Sequence, residues 1–139
     1  MSQYILEASK VTKDFKVYKG LFQDRENIKA VDTVSLKIKK GEILGIVGES
    51  GCGKTTMAKM LLGLLRPDSG FVQIKGQDIN AISRLQLAKL VQPIFQDPYS
   101  SLNPRKTIGS IMSLPLRVQK KTSQKDLRKL ILKTMDLVG

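Results

Sequence analysis

The stretch Gly48-Glu49-Ser50-Gly51-Cys52-Gly53-Lys54-Thr55 follows the pattern G-x-x-x-x-G-K-[ST] without a mismatch. Glycines in such a loop let successive backbone N–H groups turn inward around an anion, at φ angles and separations that a Cβ would forbid. In this pattern the lysine, here Lys54, reaches the β and γ phosphates, and Thr55 offers a hydroxyl to Mg²⁺. A helix beginning at this point adds the positive end of its dipole. The stretch therefore implies a bound nucleoside triphosphate. A dinucleotide fold is a poor match, because Gly51-Cys52-Gly53 runs into Lys-Thr-Thr and lacks the third glycine of G-x-G-x-x-G.

Working outward, Glu42-Ile43-Leu44-Gly45-Ile46-Val47 is a short apolar run of the kind shown by a parallel strand buried on both faces. On the other side, Thr56 to Leu65 places Met57, Met60, Leu61, Leu64 and Leu65 at helical spacing. Strand, glycine loop and helix is the order a phosphate-binding βα unit needs. Upstream, Val31 to Lys39 alternates as a half-buried antiparallel strand, and Lys40-Gly41 turns it toward residue 42. Tyr4 to Phe15 carries a further strand. Between them, Lys16 to Asn27 mixes charge, Gly20 and aromatics without a period and reads as a loop of about a dozen residues. Phe15, Tyr18 and Phe22 are three of only seven aromatic residues in the chain. Two roles are open for them, stacking on a base or packing this loop onto the core.

Downstream, Arg66-Pro67-Asp68-Ser69-Gly70 is dense in turn residues and is expected to stop the helix. Phe71, Val72 and Ile74 form a short strand ended by Gly76, and Ser83 to Leu90 a short helix with Leu85, Leu87 and Ala88 inward. Val91 to Gln96 reads as a strand, in conflict with Pro93, which removes a ladder N–H. Asp97 to Arg105 has turn composition, Thr107 to Met112 is a helical piece limited by Pro115, and Ser123 to Asp126 starts a last, basic helix. In that helix Leu127, Leu130, Ile131, Thr134 and Leu137 or Val138 recur at helical spacing.

With 139 residues, one domain is the default. No apolar run approaches the roughly 18 residues of a membrane span, and Met1 to Lys10 lacks a signal pattern, so a soluble chain that stays where it is made is expected. The single cysteine, Cys52, excludes an internal disulfide scaffold and fits the cytosol. Net charge is +12, and residues 105–139 hold 9 basic against 2 acidic side chains. That segment suits nucleic acid, anionic lipid, an acidic partner, or simply a solvated helix face.

Gly41-Glu42, Gly48 to Thr56, the turn at 66–70 and, above all, Phe95-Gln96-Asp97-Pro98-Tyr99-Ser100-Ser101-Leu102-Asn103-Pro104-Arg105 resemble the ATP-binding subunits of ABC transporters. The oligopeptide and dipeptide permease branch is the nearest in pattern, with nickel importers as close relatives. The resemblance runs from about Tyr4 to Gly139. It implies an α/β fold, a P-loop NTPase (RecA-like) core with an antiparallel β subdomain, followed by the start of an α-helical subdomain. Residues 1–96 would hold the core with the Walker A loop, and residues 97–139 the region after the Q-loop glutamine. ATP and Mg²⁺ are the implied ligands. Gly48, Glu49, Ser50, Gly51, Cys52, Gly53, Lys54, Thr55 and Thr56 would enclose the phosphates. Lys54 and Gln96 would take part in catalysis, Thr55 and Gln96 would meet the metal, and Phe15 would stack on adenine, with Tyr18 a second candidate. Implied partners are transmembrane permease subunits and a second ATP-binding subunit, at the cytoplasmic face of the membrane as a peripheral protein.

Members of the family continue with an L-S-G-G-Q signature, a Walker B strand ending in Asp-Glu and a switch histidine, none of which occurs in these 139 residues. Such a truncated chain is expected to bind ATP without turning it over, since no carboxylate is in place to polarise a water. It is also expected to be poorly stable or to self-associate. A complete short P-loop kinase finds no acceptor site in the sequence. A basic nucleic-acid-binding module is the alternative of another class. Its aromatic platforms are scarce here, so no nucleic acid is expected as a partner.

Overall fold

The alternating, β-branched sequence before the glycine loop forms two long antiparallel strands, β1 (Tyr4–Tyr18) and β2 (Arg25–Lys39), in a computed structural model that describes residues 3–18, 25–97, 99, 102–118 and 123–138. The pairing reaches well into the segment whose charges suggested a loop. Phe15 stands opposite Ile28 and Val17 opposite Glu26, so β-forming residues continue the ladder where the overall pattern is polar. The connection shrinks to residues 19–24, and these, with Gly20 and Phe22, lie outside the described residues.

β3 (Ser69–Ile74) pairs with the other edge of β1, and Lys75 and Gly76, at φ 51° and 79°, turn the chain into the two-residue β4 (Gln77–Asp78). The sheet order is β2-β1-β3-β4, antiparallel throughout. One helix covers it. α1 (Lys54–Leu61) buries Met57 and Met60 among Ala8, Val11, Val31, Val72, Ile74 and Ile79. Full burial of such side chains contributes about 1.5–3 kcal/mol each.

α1 stops earlier than the turn at 66–70. Gly63, at φ 68°, ends it, with Gly63 N–H donating to the Met60 carbonyl and Leu64 N–H to that of Lys59, both within 3.0 Å. Leu61 and Leu65 pack on the core while Leu64 stays exposed. α2 (Arg84–Leu90) starts at Ser83, whose Oγ accepts from Gln86 N–H. Only Leu87 of its three expected inward residues reaches the core; Leu85 and Ala88 face solvent, because a seven-residue helix has room for a narrow contact stripe.

Two stretches read as strands, 42–47 as a buried one and 91–96 as one in conflict with Pro93, are not strands. Residues 42–47 and 91–96 are irregular, with Ile43 97%, Val47 92% and Ile94 96% exposed. A strand exists only through its ladder, and among the described residues no other segment pairs with either stretch.

The chain divides into two compact units, residues 1–92 and 93–139. In the second, α3 (Ile108–Val118) runs through Pro115 instead of ending before it. A proline there costs the helix one N–H donor close to its end, where few further bonds depend on it. α4 (Gln124–Val138) opens on a reciprocal cap, Asp126 N–H donating to Ser123 Oγ at 3.2 Å and Ser123 Oγ donating to Asp126 Oδ2 at 2.6 Å. Leu127 is buried, whereas Leu130, Leu137 and Val138 remain exposed. A groove of about 920 Å³ is lined by Leu127, Ile131 and Met135 of α4 together with Ser113 and Arg117 of α3.

Candidate functional site

The glycine loop closes on itself through Lys54. Its ammonium donates to the carbonyls of Gly48 at 2.7 Å and Glu49 at 2.6 Å, and the Cys52 sulfur lies 3.7 Å away. Cys52 N–H donates to the Glu49 carbonyl at 3.3 Å, which tightens the same turn. An ammonium has three donors and no acceptor, so these contacts hold a positive charge across the loop. Gly51 and Gly53 take φ of 83° and 94°, values that disfavour any residue with a Cβ. At Gly48 a Cβ would lie 2.5 Å from the Cys52 sulfur.

Gly53 is also the N-cap of α1. No side chain caps this terminus and its first turn contains no acidic residue. The first N–H groups of a helix lack intrahelical acceptors, so the loop and helix together present donors and positive charge. A phosphate chain matches that donor set. Glu49, Ser50 and Thr55 are exposed, Lys54 and Thr56 half-buried. Thr55 carries an exposed hydroxyl at the start of α1, and no group of three or more His, Cys, Asp or Glu side chains able to hold a metal occurs among the described residues. A magnesium ion here would depend on phosphate oxygens and water for its remaining ligands, as Mg²⁺ commonly does.

Sequence reading missed what anchors the loop. The β1–β2 register shifts between the Lys13–Val31 and Asp14–Lys29 pairs, leaving Ala30 as the extra residue of a bulge. A Cβ on Gly53 would lie 2.0 Å from the Ala30 carbonyl oxygen, so the loop backbone sits directly on this bulge. Ile28 lies two residues, about 7 Å, further along β2. Its partner Phe15 is 39% exposed and Ile28 itself 48%, forming an apolar rung near the loop. A second missed residue is Asp68, in the turn read only as a helix stop. Its carboxylate accepts from Asp14 N–H at 2.8 Å and from Lys13 Nζ at 2.6 Å, and these two contacts, the backbone one foremost, hold its pKa below the usual carboxylate value. Bulges and cross-turn carboxylates leave no periodic trace.

Gln96 belongs to the second unit, exposed in a bend of irregular backbone. Of the stretch 95–105, Pro98, Ser100 and Ser101 lie outside the described residues, as does the side chain of Tyr18.

A family model described as ABC transporter matches residues 31–138. The chain belongs to the ABC transporter family. Its similarity to other members extends across most of its length. It is 51% identical over 116 residues to the oligopeptide transport ATP-binding protein AppF of Bacillus subtilis, spanning 80% of this chain and 35% of that protein. It is 40% identical over 138 residues to the dipeptide transport ATP-binding protein DppF of Haemophilus influenzae, spanning 97% of this chain and 42% of that one. The chain therefore spans less than half the length of either relative. Its fold resembles the ATP-binding cassette MJ0796, solved as a dimer in a post-hydrolysis state bound to ADP and Pi. The TM-score is 0.70 at 30% identity, covering 92% of this chain and 54% of that one. An ABC cassette of α/β class with an antiparallel sheet is thus the fold, and the irregular stretches 42–47 and 91–96 are among its local departures from the sequence reading. No helix among the described residues is long and apolar enough to cross a membrane.

Proposed function

We propose that this chain is the ATP-binding part of an ABC importer ATPase that energises uptake of oligopeptides or dipeptides. The observation that carries the reading is the Lys54 ammonium held by the Gly48 and Glu49 carbonyls at the uncapped N-terminus of α1. In this reading Gly48 to Thr56 enclose the β and γ phosphates and Lys54 neutralises their charge. Thr55 and Gln96 would each offer a ligand to Mg²⁺, which would supply charge neutralisation to the phosphates. Phe15 stacks on the adenine. Residues 1–96 carry the nucleotide, and residues 97–139 begin a helical subdomain facing transmembrane permease subunits at the cytoplasmic side of the membrane. A second ATP-binding subunit completes the assembly. Peptide is preferred to nickel as cargo because the relatives named above are oligopeptide and dipeptide transport proteins.

These residues alone bind ATP without hydrolysing it, since the 139 residues contain no apolar run closing in Asp-Glu to supply the carboxylate that activates water. The deciding experiment measures Mg²⁺-dependent ATP binding and phosphate release by the chain and by Lys54→Ala, at two salt concentrations. Binding that Lys54→Ala abolishes, with no phosphate release, supports the reading. Lys54-dependent turnover refutes the claim of an inactive fragment. Binding indifferent to Lys54 and Mg²⁺ but steeply weakened by salt points to a polyanion-binding module instead.

A further inference from the structure

Asp68 lies in the link from α1 to β3, yet both of its carboxylate oxygens are engaged on β1, immediately before Phe15. Oδ1 accepts from Lys13 Nζ at 2.6 Å and Oδ2 from the Asp14 backbone N–H at 2.8 Å. The attachment is reinforced on either side. Asp68 N–H donates to the Thr12 carbonyl at 2.9 Å, and the Thr12 and Ser69 hydroxyls share a hydrogen bond of 2.6 Å. Lys13 in turn has its ammonium 5.9 Å from the centre of the Phe15 ring, with a side chain only 15% exposed. At that distance, near the outer limit of about 6 Å, a cation is attracted to the ring face.

These contacts fall at one place in the sheet, the register shift between Lys13 and Asp14. The extra residue of that bulge, Ala30, belongs to β2, while β1 passes it without an insertion, and the residue that follows the Lys13–Asp14 step is the half-exposed Phe15. The ladder to β2 continues through the Asp14–Lys29 and Phe15–Ile28 pairs, whereas the pairing with β3 ends at Thr12–Ser69, and beyond that end the Asp68 carboxylate holds both the Asp14 backbone and the Lys13 side chain. We infer that Asp68 and Lys13 act as a clamp that positions the Phe15 ring for the nucleotide base, so that the link leaving α1 sets the geometry of the base site. The inference rests on the reading that Phe15 contacts the base. Asp68 is a positioning residue; it acts through Lys13 and the β1 backbone. Losing the pre-set ring orientation then costs ATP affinity roughly three- to tenfold, the scale of ordering one side chain on binding.

The test separates base from phosphate binding by comparing ATP with inorganic tripolyphosphate, each with Mg²⁺, on the full chain and on Phe15→Ala, Asp68→Ala, Asp68→Asn, Lys13→Met and the double variant Asp68→Ala/Lys13→Met. Unfolding midpoints are recorded beside the affinities. The clamp requires that Asp68→Ala and Lys13→Met each weaken ATP and leave tripolyphosphate unchanged. It also requires that the double variant lose no more than the larger single loss, because both residues lie on one path. Asp68→Asn, which keeps an oxygen acceptor for Asp14 N–H, should lose less. If Phe15→Ala weakens ATP selectively but Asp68→Ala does not, the clamp is overturned while the base reading stands. Equal loss of both ligands in Asp68→Ala, with a lowered midpoint, means the turn merely supports the loop, which also overturns it. If Phe15→Ala leaves the ratio unchanged, or the wild-type chain binds neither ligand, the base reading falls and the clamp with it.

Discussion

Two glycines in the loop share a left-handed backbone but differ in what surrounds them, and that difference predicts unequal costs for the same substitution. Gly51→Ala meets nothing within 4 Å, so it suffers only the φ of 83°. For a residue with a Cβ this conformation costs about 1–2 kcal/mol. Gly53→Ala carries the same kind of strain at φ 94° and in addition drives a methyl to 2.0 Å from the Ala30 carbonyl oxygen and 3.2 Å from its carbon. That atom is backbone on the β2 bulge and cannot rotate away, so loop or strand must move by about an ångström. Overpacking of this kind costs about 1–3 kcal/mol. The total for Gly53→Ala is then about 2–5 kcal/mol, against about 1–2 for Gly51→Ala. Urea unfolding followed by far-ultraviolet circular dichroism reads the gap, which at a slope of about 1–3 kcal/mol/M amounts to roughly 1 M in midpoint. Equal midpoints for the two variants would refute the argument, because the loop would then not rest on Ala30.

Other expectations follow from burial and charge. Met60 is fully buried beneath the sheet, so Met60→Ala should cost about 2–5 kcal/mol, while Leu64→Ala, at a site 56% exposed, should stay within about 0.5 kcal/mol; the same urea series checks both. Asp14 N–H and Lys13 hold the Asp68 carboxyl below its ordinary pKa, so its contribution is fully present above the unfolded carboxylate value, about 4, and is lost as pH falls through the folded value. The stability difference between wild type and Asp68→Asn should therefore hold near neutrality and close on acidification, and a gap that widens toward acid would contradict it. With Ile43, Val47 and Ile94 almost wholly exposed, the chain should sediment as concentration-dependent assemblies; a monomer with one sharp unfolding transition would count against this.

The phosphate loop was legible because its chemistry is local: a run of eight residues sets its own φ angles, its donors and the start of its helix. The antiparallel strands were legible for a similar reason, since alternation declares a face whatever lies opposite, and the Ser123 cap of α4 is written in four consecutive residues. Strand ends were not. Lys16 to Asn27 is polar and aperiodic, yet all of its described residues are strand, because a ladder between neighbouring strands satisfies backbone groups regardless of side-chain pattern. Residues 42–47 failed in the opposite direction. Their composition suits a buried strand, but strand formation needs a partner across the ladder, and hydrophobicity alone provides none.

By itself, then, the sequence determined the glycine loop and the helix that follows it, the polarity of the strand faces and the family, all properties of short contiguous runs. Only the tertiary structure decided that Gly53 rests on the Ala30 bulge, that Asp68 reaches across to Lys13 and Asp14, and that Gly63 rather than the 66–70 turn ends α1. The first two join residues more than twenty positions apart, and the last turns on whether a left-handed glycine can be seated against Leu87 and Ile79. Distant approaches of this kind depend on how elements pack, and packing is a property of the assembled core that no local run of residues encodes.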